Sequence, residues 1–201
     1  MKNYVMLMDT MFEKAIRLRY IKRGFNPVKE VDLPKIQKNE IEAYTEEELK
    51  TLLRLMDECE DKILSACIKI IVGTGIRRGE VCGLRIENFS SERKEIKITE
   101  AIVYAENKNI SKTPKSSAGR RSISLPDSVV EVIEERIREY KLNKLKLGKK
   151  FHDEGYIICH EDGSIFSPTV LYNRYKKFMQ KHSDELRYLS LHKLRHTFDD
   201  F

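Results

Sequence analysis

Apolar positions recur along this chain with helical periods at both ends and with alternation in the middle. Val5, Met8, Phe12, Ala15 and Ile16 share one side of a helix predicted over residues 1–24, with Lys14, Arg17 and Arg19 elsewhere. Gly24 stops it, Asn26-Pro27 ends helical geometry, and residues 25–44 read as an extended linker. Thr45-Glu46-Glu47-Glu48 is a capping box ahead of a buried stripe of Leu49, Leu52, Leu53 and Met56. The run from Asp61 to Val72 is apolar enough for a buried helix, broken by Gly73 and Gly75. Glu95 to Val103 alternates and reads as one strand. Ile110–Thr113 and Ser122–Leu125 flank a glycine-containing loop, completing a small antiparallel sheet. A long helix starts at Asp127 and buries Val129, Val130, Ile133, Ile137 and Tyr140. After a short extended run, Tyr156–Cys159, Ser167-Pro168 opens a helix through Met179, and Ser190 caps a last one. The result is a mostly helical α+β chain.

Composition narrows the partners. Of the 201 residues 35% are charged, with a net charge of +6, which suits a nucleic-acid partner without requiring one. The basic run from Arg136 to Lys150 could be a phosphate-contacting stripe; a solvated helix end is the simpler reading. Cys59, Cys67, Cys82 and Cys159 have no C-x-x-C spacing and sit among apolar neighbours, as reduced buried thiols do. The apolar run in Met1–Phe12 is too short for a signal peptide, and no stretch approaches transmembrane length. These features point to a cytoplasmic protein with no membrane partner.

The candidate chemistry lies in two basic turns. In Leu191-His192-Lys193-Leu194-Arg195-His196-Thr197-Phe198, helical spacing puts His192, Arg195 and His196 on one face and Leu191, Leu194 and Phe198 toward a core. A fixed cation beside hydrogen-bond donors suits a phosphate. The second turn is Gly73-Thr74-Gly75-Ile76-Arg77-Arg78-Gly79-Glu80. There Arg77 stands near a new helix N-terminus, and Glu80, three residues on, can hold a guanidinium in place.

Together these turns resemble the tyrosine recombinase (phage integrase) family, whose lysine-bearing element is matched by Ser111-Lys112-Thr113-Pro114-Lys115-Ser116 and then Arg120-Arg121-Ser122-Ile123. Three motifs in the family's order cover roughly residues 40 to 198. The resemblance implies a partial core-binding domain contributing its terminal helix (1–24), a linker (25–44) and a catalytic domain (45–201). It implies double-stranded DNA as partner, a tetramer on DNA for the full-length protein, and integration and recombination of a mobile element, phage or transposon. Arg77 and Arg195 would stabilise the charge on the reacting phosphate, and Lys112 would protonate the departing 5′ oxygen, with Lys115 and Lys108 as substitutes. His192 would bond the phosphate or assist proton transfer. Glu80 and His196 would support the site, and Lys115, Arg120 and Arg121 would bind DNA. A covalent 3′-phosphotyrosyl intermediate conserves bond energy, so no cofactor is expected.

None of the nine tyrosines follows Arg195, where the resemblance places the nucleophile. The expectation is a recombinase catalytic domain without its final helices and inactive in cleavage. Type IB topoisomerase shares the chemistry, but the compact His-x-Leu-Arg-His-Thr pattern favours integrases. Two readings from other classes stay open: a DNA-binding module without catalysis, and a metal site from His192 and His196 completed by Cys159-His160.

Overall fold

The computed structural model describes residues 2–31, 43–105, 108–113 and 120–198, without the side chains of Lys2, Asn3, His196 and Phe198. The chain divides into two compact units, Met1–Glu40 and Ile41–Phe201. In the first, helix α1 spans Lys2–Arg17, shorter than the periodicity predicts. It ends where Arg19 takes a left-handed φ of 62° and the Tyr20 amide donates back to the Ala15 carbonyl at 3.0 Å. The following segment is not extended throughout, because Pro27–Glu30 forms a 3₁₀ turn. The Asn26 side-chain amide donates to Asp9 at 2.8 Å and Glu13 at 3.0 Å, and Lys29 pairs with Glu13, folding this turn back on α1. Val28 is buried, yet Met6, Leu7, Met8 and Met11 are exposed.

The second unit begins with α2, Glu46–Asp57, whose capping box is formed in both directions between Thr45 and Glu48. Four more helices matter for the site: α3 at Lys62–Thr74, α4 at Arg78–Cys82, α5 at Asp127–Leu147 and α6 at Pro168–Lys181. Helix α3 is apolar nearly all round and buries almost every residue from Leu64 to Thr74. It is the axis of the core, touching α2, α4, α5 and α6. It runs through Gly73 instead of breaking there, and Gly75, with φ 62°, is its left-handed cap. Gly73 serves packing: a Cβ there would lie 2.4 Å from the Val129 methyl on α5. The last element, α7, is a single turn at Leu191–Leu194 that tightens into a 3₁₀ turn at Arg195–Phe198. Buried Thr197 accepts a hydrogen bond from the Tyr44 amide at 3.2 Å, tying this end to the start of the unit.

The strands differ from expectation in connection. Residues 95–103 form two strands, β2 (Glu95–Ile98) and β3 (Ala101–Ala105), separated at Thr99-Glu100. A two-residue β1, Phe89–Ser90, pairs with β2, which pairs with β5 (Arg121–Ser124) to give a three-stranded antiparallel sheet. Ile96 and Ile98 point into the core while Lys97 is exposed. Strand β4 (Lys108–Lys112) pairs with β3 in a separate hairpin, Ala101 opposite Lys112 and Ile102 opposite Ser111. Thus 110–113 and 122–125 belong to different sheets. Glu100 drawn onto Arg85 and Thr99 bonded to Asn88 at 3.0 Å are the contacts that turn the chain from one sheet to the other.

Candidate active site

The arginine turn is held from beneath. Ile76 is buried at its centre, and Arg77 is the N-cap of α4. Glu80, one turn on, has only 7% of its side chain exposed and accepts from four donors. The Arg77 amide (2.9 Å) and guanidinium (3.0 Å) supply two, and the Arg121 guanidinium supplies two more, at 3.1 and 2.9 Å. Burial pushes the Glu80 carboxyl pKa up, but the Arg121 and Arg77 hydrogen bonds outweigh this and hold it below its ordinary value. Glu80 therefore does what its spacing suggests for Arg77. Its second partner, Arg121, was expected to bind DNA; both terminal nitrogens of its guanidinium instead bond to Glu80, a pairing that nothing local announces.

Gly79 and Gly83 let α4 press on the hairpin. A Cβ on Gly79 would lie 2.7 Å from the Ile102 carbonyl, and one on Gly83 would lie 2.8 Å from that of Glu100. The other half of the site comes from α7. Ser190 caps it by accepting from the Lys193 amide, Leu191 and Leu194 anchor it, and His192 and Arg195 emerge beside Arg77. Arg77, Glu80, His192 and Arg195 line one hollow of about 630 Å³. The start of α6 supplies Pro168 and Thr169, and Tyr172 has the Arg78 guanidinium 5.7 Å from its ring centre. Arg78 and Tyr172 had no sequence signal, because only the packing of α6 against α4 brings them together. The Arg195 Nε is buried with no hydrogen-bond partner among the described residues.

The remaining candidates are placed less centrally. Lys112 is exposed at the end of β4 and is not among the residues lining the hollow, although its cross-strand partner Ala101 is. Lys108 is exposed at the other end of β4, opposite Ala105. Arg120 is exposed, whereas Arg121 is engaged with Glu80. Lys115 and the His196 side chain lie outside the described residues. His160 lines a separate cavity with Arg136 and Arg174, away from His192. Among the described residues no three His, Cys, Asp or Glu side chains group as metal ligands. Cys67, Cys82 and Cys159 are buried and Cys59 partly so; burial pushes the Cys82 thiol up to about 12. No helix among the described residues is long and apolar enough to cross a membrane.

Against known proteins, the sequence model of the phage integrase family matches residues 42–199. The chain belongs to that family. Its members here are the tyrosine recombinases, DNA breaking and rejoining enzymes. A tyrosine recombinase XerC-like protein of Caldanaerobacter subterraneus subsp. tengcongensis is 26% identical over 95% of this chain and 52% of its own length. A prophage ps2 probable integrase of Lactococcus lactis subsp. lactis is 25% identical over 94% and 52%. The chain thus spans about half the length of these relatives. Among solved structures, the Tn1549 transposon integrase bound to transposon right-end DNA shares the fold with a TM-score of 0.80 at 19% identity, over 98% of this chain and 64% of that one. The XerH site-specific recombinase bound to palindromic difH substrate aligns with a TM-score of 0.56 at 22% identity, over 84% and 44%.

Proposed function

We propose that this chain carries the phosphate-binding part of a recombinase catalytic site acting on double-stranded DNA. What supports the reading is the convergence of Arg77, His192 and Arg195, from distant parts of the unit's sequence, on one hollow beside a buried carboxylate. Attack on a phosphodiester raises negative charge on the nonbridging oxygens, and two preorganised guanidinia offset it without a metal ion. Arg77 is aimed by Glu80, and the Arg195 Nε, which has no hydrogen-bond partner among the described residues, is a donor that a phosphate oxygen could take up. His192 bonds the phosphate, and Lys112, delivered by the hairpin, protonates the 5′ oxygen as it departs. The attacking tyrosine would come from outside these 201 residues and form a 3′-phosphotyrosyl bond. Recombination of a mobile element by a tetramer on two duplexes follows from the same reading.

A nicked suicide duplex carrying the cognate site tests it. The 201-residue chain binds without forming an adduct, whereas the full-length gene product forms one. In that product Arg195→Ala lowers adduct formation about 10²- to 10³-fold while duplex binding is largely kept. An adduct on the 201-residue chain, or undiminished adduct with Arg195→Ala, would overturn the assignment. A second reading, DNA binding without catalysis, is favoured if the full-length product binds its site and never forms an adduct.

A further inference from the structure

Four side chains outside the hollow hold the hairpin that bears Lys112. Glu100, the residue just before β3, has only 13% of its side chain exposed. It accepts from the Arg85 Nε at one carboxylate oxygen and from the Ser111 hydroxyl at the other. Arg85 is itself fixed: its guanidinium lies 4.0 Å over the Tyr156 ring, donates to the Tyr156 hydroxyl at 2.9 Å and reaches the Glu154 carbonyl. The Glu100 carbonyl rests against Gly83, so the point from which its carboxylate reaches out is set by backbone contact. These residues do not line the hollow.

Their effect passes through strand geometry. Side chains alternate across a strand, and directly opposed residues share a face. Ser111 shares its face with buried Ile102, while Lys112 shares the opposite face with Ala101. A Cβ on Gly79 would stand 3.7 Å from the Ala101 Cβ, so the Ala101 face is turned to the arginine turn two residues beyond Arg77. Fixing Ser111 therefore fixes the side on which Lys112 leaves. A two-stranded ribbon is marginal by itself, and a slip of one residue would send Lys112 the other way.

We propose that Glu100 is a positioning residue for Lys112, acting through Ser111 and held by Arg85. The proposal rests on Lys112 being the proton donor to the 5′ oxygen. In that step the tyrosine hydroxyl gives up its proton to solvent, its oxygen bonds to phosphorus as the phosphorus–O5′ bond breaks, and the Lys112 proton goes to the leaving oxygen.

The decisive comparison uses the full-length gene product on two duplexes, one with the natural 5′ oxygen and one with sulfur at that bridging position. A thiolate leaves without a proton, so a defect confined to proton delivery disappears on the sulfur substrate. Glu100→Ala and Ser111→Ala are expected to slow cleavage of the oxygen-linked duplex about ten- to a hundredfold and to be nearly silent on the sulfur-linked one, with Glu100→Asp recovering part of the loss. Equal defects on both substrates would reduce Glu100 to a structural role and overturn the proposal. A Lys112→Ala defect that sulfur does not relieve would remove the proton-donor reading instead, and the proposal with it. On the 201-residue chain, Glu100→Ala should speed amide exchange at Ile110–Lys112 at least about tenfold relative to α3, as expected when a locally stabilised unit loses its anchor. Unchanged exchange there would also overturn it.

Discussion

The arginine turn and the lysine hairpin face one another across Gly79 and are built on opposite terms. Arg77 rises from the junction of α3 and α4, where Ile71, Ile76 and Val81 are fully buried and Glu80 gathers four hydrogen bonds. Lys112 ends a ribbon of two strands in which only Ile102 is buried. Groups that must hold a phosphate still gain from a rigid support, since donors already in place reorganise little as charge develops. If Lys112 is the proton donor proposed above, it needs reach, and a peripheral strand gives it. The turn is secured by the core, and the hairpin by the packing of β3 on α4 with a few polar contacts at its end.

The largest stability effect expected from breaking this contrast is at Glu80. Glu80→Ala leaves Arg121 partly buried opposite Arg77 with no counter-charge, and should cost about 3 kcal/mol by chemical denaturation. Because the folded-state carboxyl pKa is lowered, its stabilisation is present above the ordinary carboxylate range and is lost as pH falls through the folded value. The gap between wild type and Glu80→Gln should thus be full at pH 7 and shrink below about pH 4. An equal gap at pH 7 and pH 3 would mean that the ion pairs contribute nothing there.

Next in size is the seam between the two regions. Gly79→Ala drives a methyl to 2.7 Å from the Ile102 carbonyl, which a backbone oxygen cannot avoid without moving β3. The expected cost is about 1–3 kcal/mol, with amide protection lost in β3 and β4 and kept in α3. Protection lost evenly across the unit would show that turn and hairpin are one cooperative body. The smallest effect belongs to Lys112→Ala. An exposed lysine at a strand end should change stability by no more than about 0.5 kcal/mol, so any loss of cleavage measures chemistry alone. A larger shift in the denaturation midpoint would mean that Lys112 supports the ribbon.

Much of the catalytic scaffold was legible because its signals are local. The Thr45–Glu48 capping box needs only four residues, and the apolar run of α3 announces a buried helix wherever it packs. Ser167-Pro168 and Ser190 likewise mark helix starts by themselves. The strands were harder. Ile96 and Ile98 alternate, but Glu100 takes the next core-facing position before Ile102, a local break that reading 95–103 as one strand passed over. What that glutamate meets there, the Arg85 guanidinium, could not be read from the strand's own residues. Helix α1 shows the same limit: its period is plain, but the left-handed Arg19 and the Asn26 contacts that shorten it are not.

The sequence by itself singled out Arg77, Lys112, His192 and Arg195 as candidates to meet a phosphate, since they stand in motifs whose spacing is local. It also determined that Glu80 would reach Arg77, one helical turn away. Only the tertiary structure decided that Arg77, His192 and Arg195 share one hollow while Lys112 stands at its edge. It alone gave Arg121 to Glu80 and Ser111 to Glu100. The reason is physical: helix periods and caps follow from neighbours along the chain, whereas an ion pair between distant residues exists only once the core has brought their elements together.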